Sequence, residues 1–202
     1  LRATIHNQLF NSIAMVKDFY IKNMVCDRCI KVLRDELHKA KISLLDIELG
    51  RLRLDMNEKE QLSILTEILK RNGFALIAST EDKLTEQVKI ELIKLLKVIP
   101  LEIDGKLSDF LADKLQKDYS KISKVFSIIE GITIEKYFIK LKIEKVKELI
   151  QTPDYNFTEI SQLLDYSNVN HLSKQFKSET GMSLSDYKDG HKNFRNPLDK
   201  II

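Results

Sequence analysis

The sequence is poor in several residue types that mark common protein classes. Its 202 residues include 2 Cys, 3 Pro, 6 Gly and no Trp. Two cysteines are too few for a disulfide-stapled secreted fold, so a bacterial-type cytoplasm is the expected location. The low glycine and proline contents exclude collagen-like and low-complexity chains. No apolar run approaches the roughly 18 residues of a membrane span, so we expect a soluble protein with no membrane partner.

The total charge gives little information about partners. The net charge is +3, from 33 basic and 30 acidic side chains. Residues 81–202 carry 20 of each sign, so this block is neutral. Any nucleic-acid-binding surface must therefore depend on where the charges lie in the fold.

The first part of the chain alternates the periods of strands and helices. Residues 1–15 have no clear period, and we treat them as an extension without a function. Residues 16–80 follow the order strand, helix, strand, strand, helix, strand, with helices predicted over 27–39 and 59–71. This order predicts a ferredoxin-like domain.

Glycines mark two turns in this domain. Gly50-Arg51 is predicted as a two-residue hairpin turn, which places Glu48 opposite Arg53 on the outer face. Gly73 is predicted to end the second helix, before a last strand over Phe74 to Ala78.

The second part of the chain is helical and contains an internal repeat with a period of 50 residues. The repeated positions are Ile122 to Phe126, Gly131 and Tyr137 in the first copy, and Leu172 to Phe176, Gly181 and Tyr187 in the second. Each copy predicts a helix, a tight connection and a second helix that ends at the glycine, which is a helix-turn-helix. The chain is thus predicted to be an α+β protein of two domains. An all-α tandem helix-turn-helix domain occupies residues 81–190, and a tail occupies 191–202.

A long helix is predicted between the two copies, from Thr133 to Gln151. About 19 residues at 1.5 Å each give roughly 28 Å. Successive major-groove faces on one side of DNA lie roughly 34 Å apart. A rigid spacer of this length would place the two units in adjacent grooves.

The second helix of each unit offers candidate DNA contacts. Phe126 and Phe176 are expected to anchor these helices to the core, and the side chains offset from them should face outward. Lysine suits guanine acceptors, asparagine suits adenine and valine suits a thymine methyl group. The candidates are Ser120, Lys121, Ser123 and Lys124 in the first unit, and Val169, Asn170, His171, Ser173 and Lys174 in the second. For His171, contact with a backbone phosphate and simple solvation are both open.

Residues 84–190 resemble the AraC/XylS-type DNA-binding domain. The resemblance rests on Ile160-Ser161-x-x-Leu164-Asp165-Tyr166-Ser167, Leu172-Ser173-Lys174-x-Phe176-Lys177 and Gly181-Met182-Ser183-x-x-x-Tyr187-Lys188. It implies a sequence-specific transcription regulator that binds double-stranded DNA through two major grooves. The family commonly has glycine where this sequence has Asp165.

The only two cysteines lie together where the first helix begins. Cys26 and Cys29 can converge there, and the helix N-terminus together with Arg28 would favour their thiolate forms. Two thiolates without a nearby histidine suit a soft ion of low coordination number, such as Cu(I). A thiol redox switch is an open alternative, as is a module kept for dimerisation or for another ligand.

Residues 18–79 resemble the heavy-metal-associated domain of copper chaperones and metal-pumping ATPases. The resemblance rests on Met24-x-Cys26-x-x-Cys29, the βαββαβ order and Gly73-Phe74. It implies that Cys26 and Cys29 coordinate the metal in an exposed loop.

Together these patterns predict a cytoplasmic transcription regulator that responds to a soft metal through its C-x-x-C site. RNA polymerase is a further candidate partner, and both a monomer and a homodimer are open. No catalytic set or phosphate loop is present, so an enzyme is not expected. The alternatives are a thiol redox-responsive regulator and a metal carrier whose helical half docks to a protein.

Overall fold

A computed structural model describes residues 15–56, 59–152, 154–190 and 195–201. Most of the extension predicted over residues 1–15 therefore lies outside the described residues, as does part of the tail. The N-terminal half forms β1 (Met15–Lys22), α1 (Asp27–Lys39), β2 (Ser43–Glu48), β3 (Arg51–Met56), α2 (Lys59–Arg71) and β4 (Ala75–Leu76). The order of strands and helices is the predicted one.

The four strands form one antiparallel sheet in the order β2-β3-β1-β4. Alternate residues of β3, Leu52, Leu54 and Met56, are buried against the helices. This period-2 pattern fixes which face of the sheet is apolar. The last strand is shorter than predicted, because only Ala75 and Leu76 pair with β1.

The hairpin differs from its predicted register. The loop is Leu49-Gly50, so Glu48 lies opposite Arg51, and Asp46 rather than Glu48 lies opposite Arg53. The register shifts between Leu44 and Asp46 as a β-bulge, which leaves Leu45 half exposed. Leu44 and Leu45 are both apolar, so the alternation of apolar and polar residues in the sequence does not reveal the extra residue in β2.

The C-terminal half is helical, as predicted. It contains α3 (Thr80–Lys97), α4 (Leu107–Leu115), α5 (Tyr119–Glu130), α6 (Ile134–Gln151), α7 (Phe157–Leu163), α8 (Val169–Thr180), α9 (Leu184–Asp189) and a short 3₁₀ helix (Leu198–Lys200). The long helix α6 begins one residue after its N-cap, Thr133, whose hydroxyl accepts the Lys136 N–H. No helix among the described residues is long and apolar enough to cross a membrane.

The described residues form two hydrophobic cores. One lies between the sheet and α1 and α2, and it includes Ile21, Leu33 and Leu65. The other joins α3 through α9 around Phe126 and Phe176. Val25, which precedes the first cysteine, belongs to the helical core rather than to the sheet core. The C-x-x-C loop is therefore packed directly on the helical half.

Candidate nucleic-acid interface

The second helix of each helix-turn-helix unit, α5 or α8, is the helix predicted to contact DNA, and it is called the recognition helix of its unit. Local residues define both ends of each helix. The Asp118 carboxylate accepts the backbone N–H groups of Ser120 and Lys121 at the start of α5, and the Asn168 side chain accepts the His171 N–H at the start of α8. These caps satisfy N–H groups that have no partner within the helix.

Both recognition helices end at a glycine in the left-handed region. Gly131 has φ +70° and Gly181 has φ +75°. Their N–H groups donate to the Ser127 and Lys177 carbonyls. A side chain at these positions would meet no neighbour, so the backbone conformation alone favours glycine.

An aromatic pair anchors each recognition helix. Phe126 packs on Tyr137 with ring centroids 5.6 Å apart, and Phe176 packs on Tyr187 at 5.5 Å. Both phenylalanines are fully buried. The 50-residue repeat in the sequence is therefore a repeat of core packing, as predicted, and all four rings are buried.

The turn between the helices of each unit contains a left-handed residue that is not glycine. Gln116 has φ +50° in the first unit and Asp165 has φ +54° in the second. Asp tolerates this conformation better than most side chains because its short carboxylate can bond locally. Asp165 thus adopts a left-handed conformation that glycine adopts without steric cost.

The predicted contact residues face outward or lie at the edge of the buried face. Six are exposed: Ser120, Lys121, Lys124, Asn170, His171 and Lys174. Three are half-buried: Ser123, Val169 and Ser173. This placement is the one that the helical spacing from Phe126 and Phe176 predicts.

Two of the serines are occupied within their own helix. The Ser120 hydroxyl donates to Asp118, and the Ser123 hydroxyl donates to the Ser120 carbonyl. Their protons are not available to an external acceptor in this conformation. By contrast, the ammonium groups of Lys121, Lys124 and Lys174 form no ion pair with the described residues.

A cluster of rings supports the start of α8. The His171 Nδ1 lies 3.2 Å from the Ser167 hydroxyl. The rings of His171 and Tyr166 are in a T-shaped arrangement, with their centroids 5.4 Å apart. Lys142 of α6 places its ammonium 4.0 Å from the centroid of the Tyr166 ring. Burial lowers the pKa of Lys142 to about 8. The sequence did not indicate this cluster, because Lys142 is 24 residues from Tyr166.

The lysines of α6 contribute less free positive charge than their number suggests. Lys147 is buried and lies 2.6 Å from the Glu144 carboxylate. Lys145 pairs with Glu148 at 2.7 Å, and Lys140 lies 3.8 Å from Glu179 of α8. Residues 119–147 hold seven lysines and three glutamates in the sequence, and three of these lysines are thus paired with glutamates.

The two thiols do converge at the start of α1. The sulfur atoms of Cys26 and Cys29 lie 2.8 Å apart, and both cysteines are half-buried and free. Burial, together with the hydrogen bond between the two thiols, raises the pKa of Cys29. The expectation that the helix N-terminus and Arg28 favour the thiolate is therefore wrong for Cys29, because desolvation outweighs them.

The loop is also less exposed than the family resemblance implies. Met24 and Val25 are buried, and Asp27 pairs with Lys97 of α3 at 2.6 Å. No group of three or more His, Cys, Asp or Glu side chains that could hold a metal occurs in the described part of the chain. Any ion at this loop would depend on the two thiols.

Cavities lie on both sides of Cys26. One, of about 390 Å³, lies between the loop, α3 and α6. The other, of about 560 Å³, is lined by both thiols and by Gly73. Arg195 and Leu198 line both cavities, so the C-terminal segment passes beside the thiols. Asn196 holds this segment on α6, since its N–H donates to Glu144 at 2.8 Å.

Comparisons with known proteins agree with this geometry for the helical half. Residues 111–190 match the family described as a helix-turn-helix domain. Over these residues the helical half is therefore similar to helix-turn-helix domains. No curated protein matches the chain.

Several solved structures are similar to just over half of the chain. The C-terminal domain of AraT, a response regulator from Geobacillus stearothermophilus, has a TM-score of 0.47 and 18% identity, covering 58% of this chain and 95% of that one. A DNA-binding transcriptional dual regulator from Escherichia coli K-12 has a TM-score of 0.47 and 12% identity, covering 56% and 96%. The C-terminal domain of the two-component response regulator yesN from Fusobacterium nucleatum has a TM-score of 0.42 and 21% identity, covering 55% and 99%.

Proposed function

We propose that the protein is a sequence-specific, non-enzymatic transcription regulator of the AraC type that binds double-stranded DNA. One observation carries the proposal: Lys124 and Lys174 occupy equivalent positions of two repeated recognition helices. Both side chains are exposed and form no ion pair with the described residues. A lysine in this position suits guanine acceptors or phosphate.

The two recognition helices are proposed to contribute differently. In α8, Val169, Asn170 and Lys174 offer a methyl contact, a bidentate amide and a cation, which together can distinguish base pairs. His171 and Ser173 lie beside them and suit phosphate. In α5, Ser120 and Ser123 already donate within the protein, so Lys121 and Lys124 supply most of its affinity.

Selection of bound duplexes from a random pool tests this proposal. We expect one asymmetric sequence to be enriched, with affinity that falls steeply as salt rises because bound lysines release counterions. Enrichment of no sequence, or an affinity independent of salt, would contradict it. Sedimentation of the selected complex distinguishes a monomer from a homodimer, and addition of RNA polymerase tests the proposed protein partner.

For the N-terminal half we propose a ferredoxin-like, heavy-metal-associated module in which Cys26 and Cys29 bind a soft ion such as Cu(I). The adjacent sulfur atoms and the cavity that both thiols line support this proposal. The ion would supply charge and a fixed link between the thiols. A reversible disulfide is the second candidate, which the same proximity of the sulfurs favours.

Titration of the reduced protein with Cu(I), followed by duplex binding, separates these candidates. A metal-responsive regulator changes its duplex affinity with Cu(I), and the Cys26→Ser/Cys29→Ser variant does not. A redox-responsive regulator responds to oxidant instead. A metal carrier binds Cu(I) but enriches no duplex. If the double variant binds Cu(I) and DNA as the parent does, the thiol site has no sensing role.

A further inference from the structure

A carboxylate from the helical half holds the backbone of the thiol loop. Glu86, on α3, is 3% exposed. Its Oε1 accepts the backbone N–H of Asn23 at 3.0 Å. Asn23 has φ +70° and lies three residues before Cys26. Because a buried carboxylate needs partners, this bond fixes both the acid and the strained start of the loop.

The same helix holds the end of the first recognition helix. Lys89 lies one helical turn after Glu86, and its ammonium is 2.8 Å from the carboxylate of Glu130. Glu130 is the last residue of α5. The ammonium also lies 5.8 Å from the centroid of the Tyr137 ring. Residues three apart share one face of a helix, so one face of α3 contacts both the thiol loop and α5.

Apolar contacts also join the N-terminal half to the helical half in this region. Val25 of the loop is part of the helical core. On the other side of Asn23, Ile90 of α3 packs against Gly50 of the hairpin, where an added methyl group would collide with it. A shift of the loop therefore has to move α3 or lose these contacts. The second recognition helix is held differently, because its Glu179 lies near Lys140 of α6.

We propose that Glu86 is a positioning residue for the thiol loop, and that through Lys89 and Glu130 it couples the loop to the first recognition helix. The coupling part rests on the proposed DNA-binding function. The positioning part does not, and the two parts have separate tests.

Alkylation of the thiols by iodoacetamide tests the positioning. In Glu86→Ala, the loop loses a hydrogen bond to a charged group, so we expect the alkylation rate of Cys26 and Cys29 to rise about tenfold. Glu86→Gln keeps an oxygen acceptor for the Asn23 N–H and should stay close to the parent. Glu81→Ala removes an exposed carboxylate of the same helix and is the matched control. Circular dichroism confirms that each variant is folded.

The alkylation result decides the positioning without DNA. A parental rate in folded Glu86→Ala overturns it, as does an equal rise in Glu81→Ala. If Glu86→Ala does not fold, Glu86→Asp, whose shorter carboxylate cannot reach Asn23 without a shift, takes its place with the same expected increase and the same contradicting result.

The effect of bound duplex on the alkylation rate tests the coupling. Linkage requires that DNA bound to α5 changes the loop if the loop changes α5. We expect duplex to change the parent's rate at least about fivefold, on the scale of typical coupling energies. The change should vanish in Lys89→Gln/Glu130→Gln and persist in the control Glu91→Gln/Lys94→Gln, an exposed pair on the same helix.

Each result of this second test has one meaning. If duplex binds but leaves the parent's alkylation rate unchanged, the coupling is wrong. An equal change in the parent and in Lys89→Gln/Glu130→Gln also overturns it. If no duplex binds the parent, the proposed DNA-binding function fails, while the alkylation rates without DNA still decide the positioning role of Glu86.

Discussion

The two helix-turn-helix units have the same core packing but different surface residues. Each has a buried Phe–Tyr pair and a left-handed glycine after its recognition helix. On the surface, α5 presents lysines beside serines that bond within the helix. α8 presents Asn170 and Lys174 beside a ring cluster that includes His171. The repeat therefore preserves the scaffold, and the differences lie where a ligand would be distinguished.

The attachments of the two units also differ. The first unit is tied to α3, and through α3 to the thiol loop. The second is tied to α6 through Lys142 and Lys140. Under the proposed function, the first unit would therefore receive a signal from the thiol loop, and the second would recognise the DNA sequence.

The largest expected effect is on the shared core. Truncation of Phe126 or Phe176 to alanine removes a fully buried ring and should lower the free energy of unfolding by about 3–5 kcal/mol in each case. Urea unfolding measures both variants. A loss below about 1 kcal/mol in either would show that the two units are not equivalent in their packing.

The next effect separates the two surfaces. Lys174→Ala should weaken binding to the selected duplex by about 1–3 kcal/mol and relax the preference at one base pair. Lys124→Ala should weaken all duplexes alike and reduce the salt dependence by about one phosphate contact. Fluorescence anisotropy across a series of substituted duplexes gives both quantities. The opposite assignment would reverse the roles of α5 and α8.

Replacement of the glycine that ends each recognition helix is expected to lower the stability of the protein by the same amount in both units. Gly131→Ala and Gly181→Ala each place a side chain in the left-handed region without any steric contact, so each should lose about 1–2 kcal/mol of stability. Thermal and urea unfolding measure the loss. Unequal losses would mean that one helix end relaxes and that the end geometries differ.

The smallest expected effect is a pH dependence of the free energy of unfolding that arises from Lys142, which contacts the second unit. Burial lowers the pKa of Lys142 to about 8, so above this pH the folded protein releases a proton that the unfolded chain retains until its ordinary pKa. The contribution of Lys142 to the free energy of unfolding should therefore rise from pH 8 to pH 9.5. Lys142→Met should remove this rise in urea unfolding, whereas the exposed control Lys136→Met should keep it. A rise of equal size in Lys142→Met would assign it to another group.

The repeated helix-turn-helix units and the alternating strands could be predicted from the sequence. Spacing from Phe126 and Phe176 predicted the outward faces, and alternation predicted the sheet. The β-bulge at Leu45 was not predicted, because the adjacent leucines Leu44 and Leu45 make the apolar pattern look continuous despite the extra residue. Contacts between distant segments were also not predicted. Lys142 on Tyr166 and Glu86 on Asn23 are far apart in sequence, and no local period reports them.

The chemistry of single groups was predicted less well than their position. The thiols meet as predicted, but the pKa of Cys29 is raised by burial, and this burial comes from packing against the core of the sheet half. In the same way, counting lysines over residues 119–147 overstated the free charge. Lys145 and Lys147 pair with glutamates of their own helix.

Footprinting of the selected duplex tests the central claim most directly. The account predicts two protected major-groove segments about one helical turn apart, with Lys124→Ala weakening protection of one segment and Lys174→Ala that of the other. A single protected segment, or one weakened equally by both variants, would contradict the claim that the two recognition helices bind adjacent grooves.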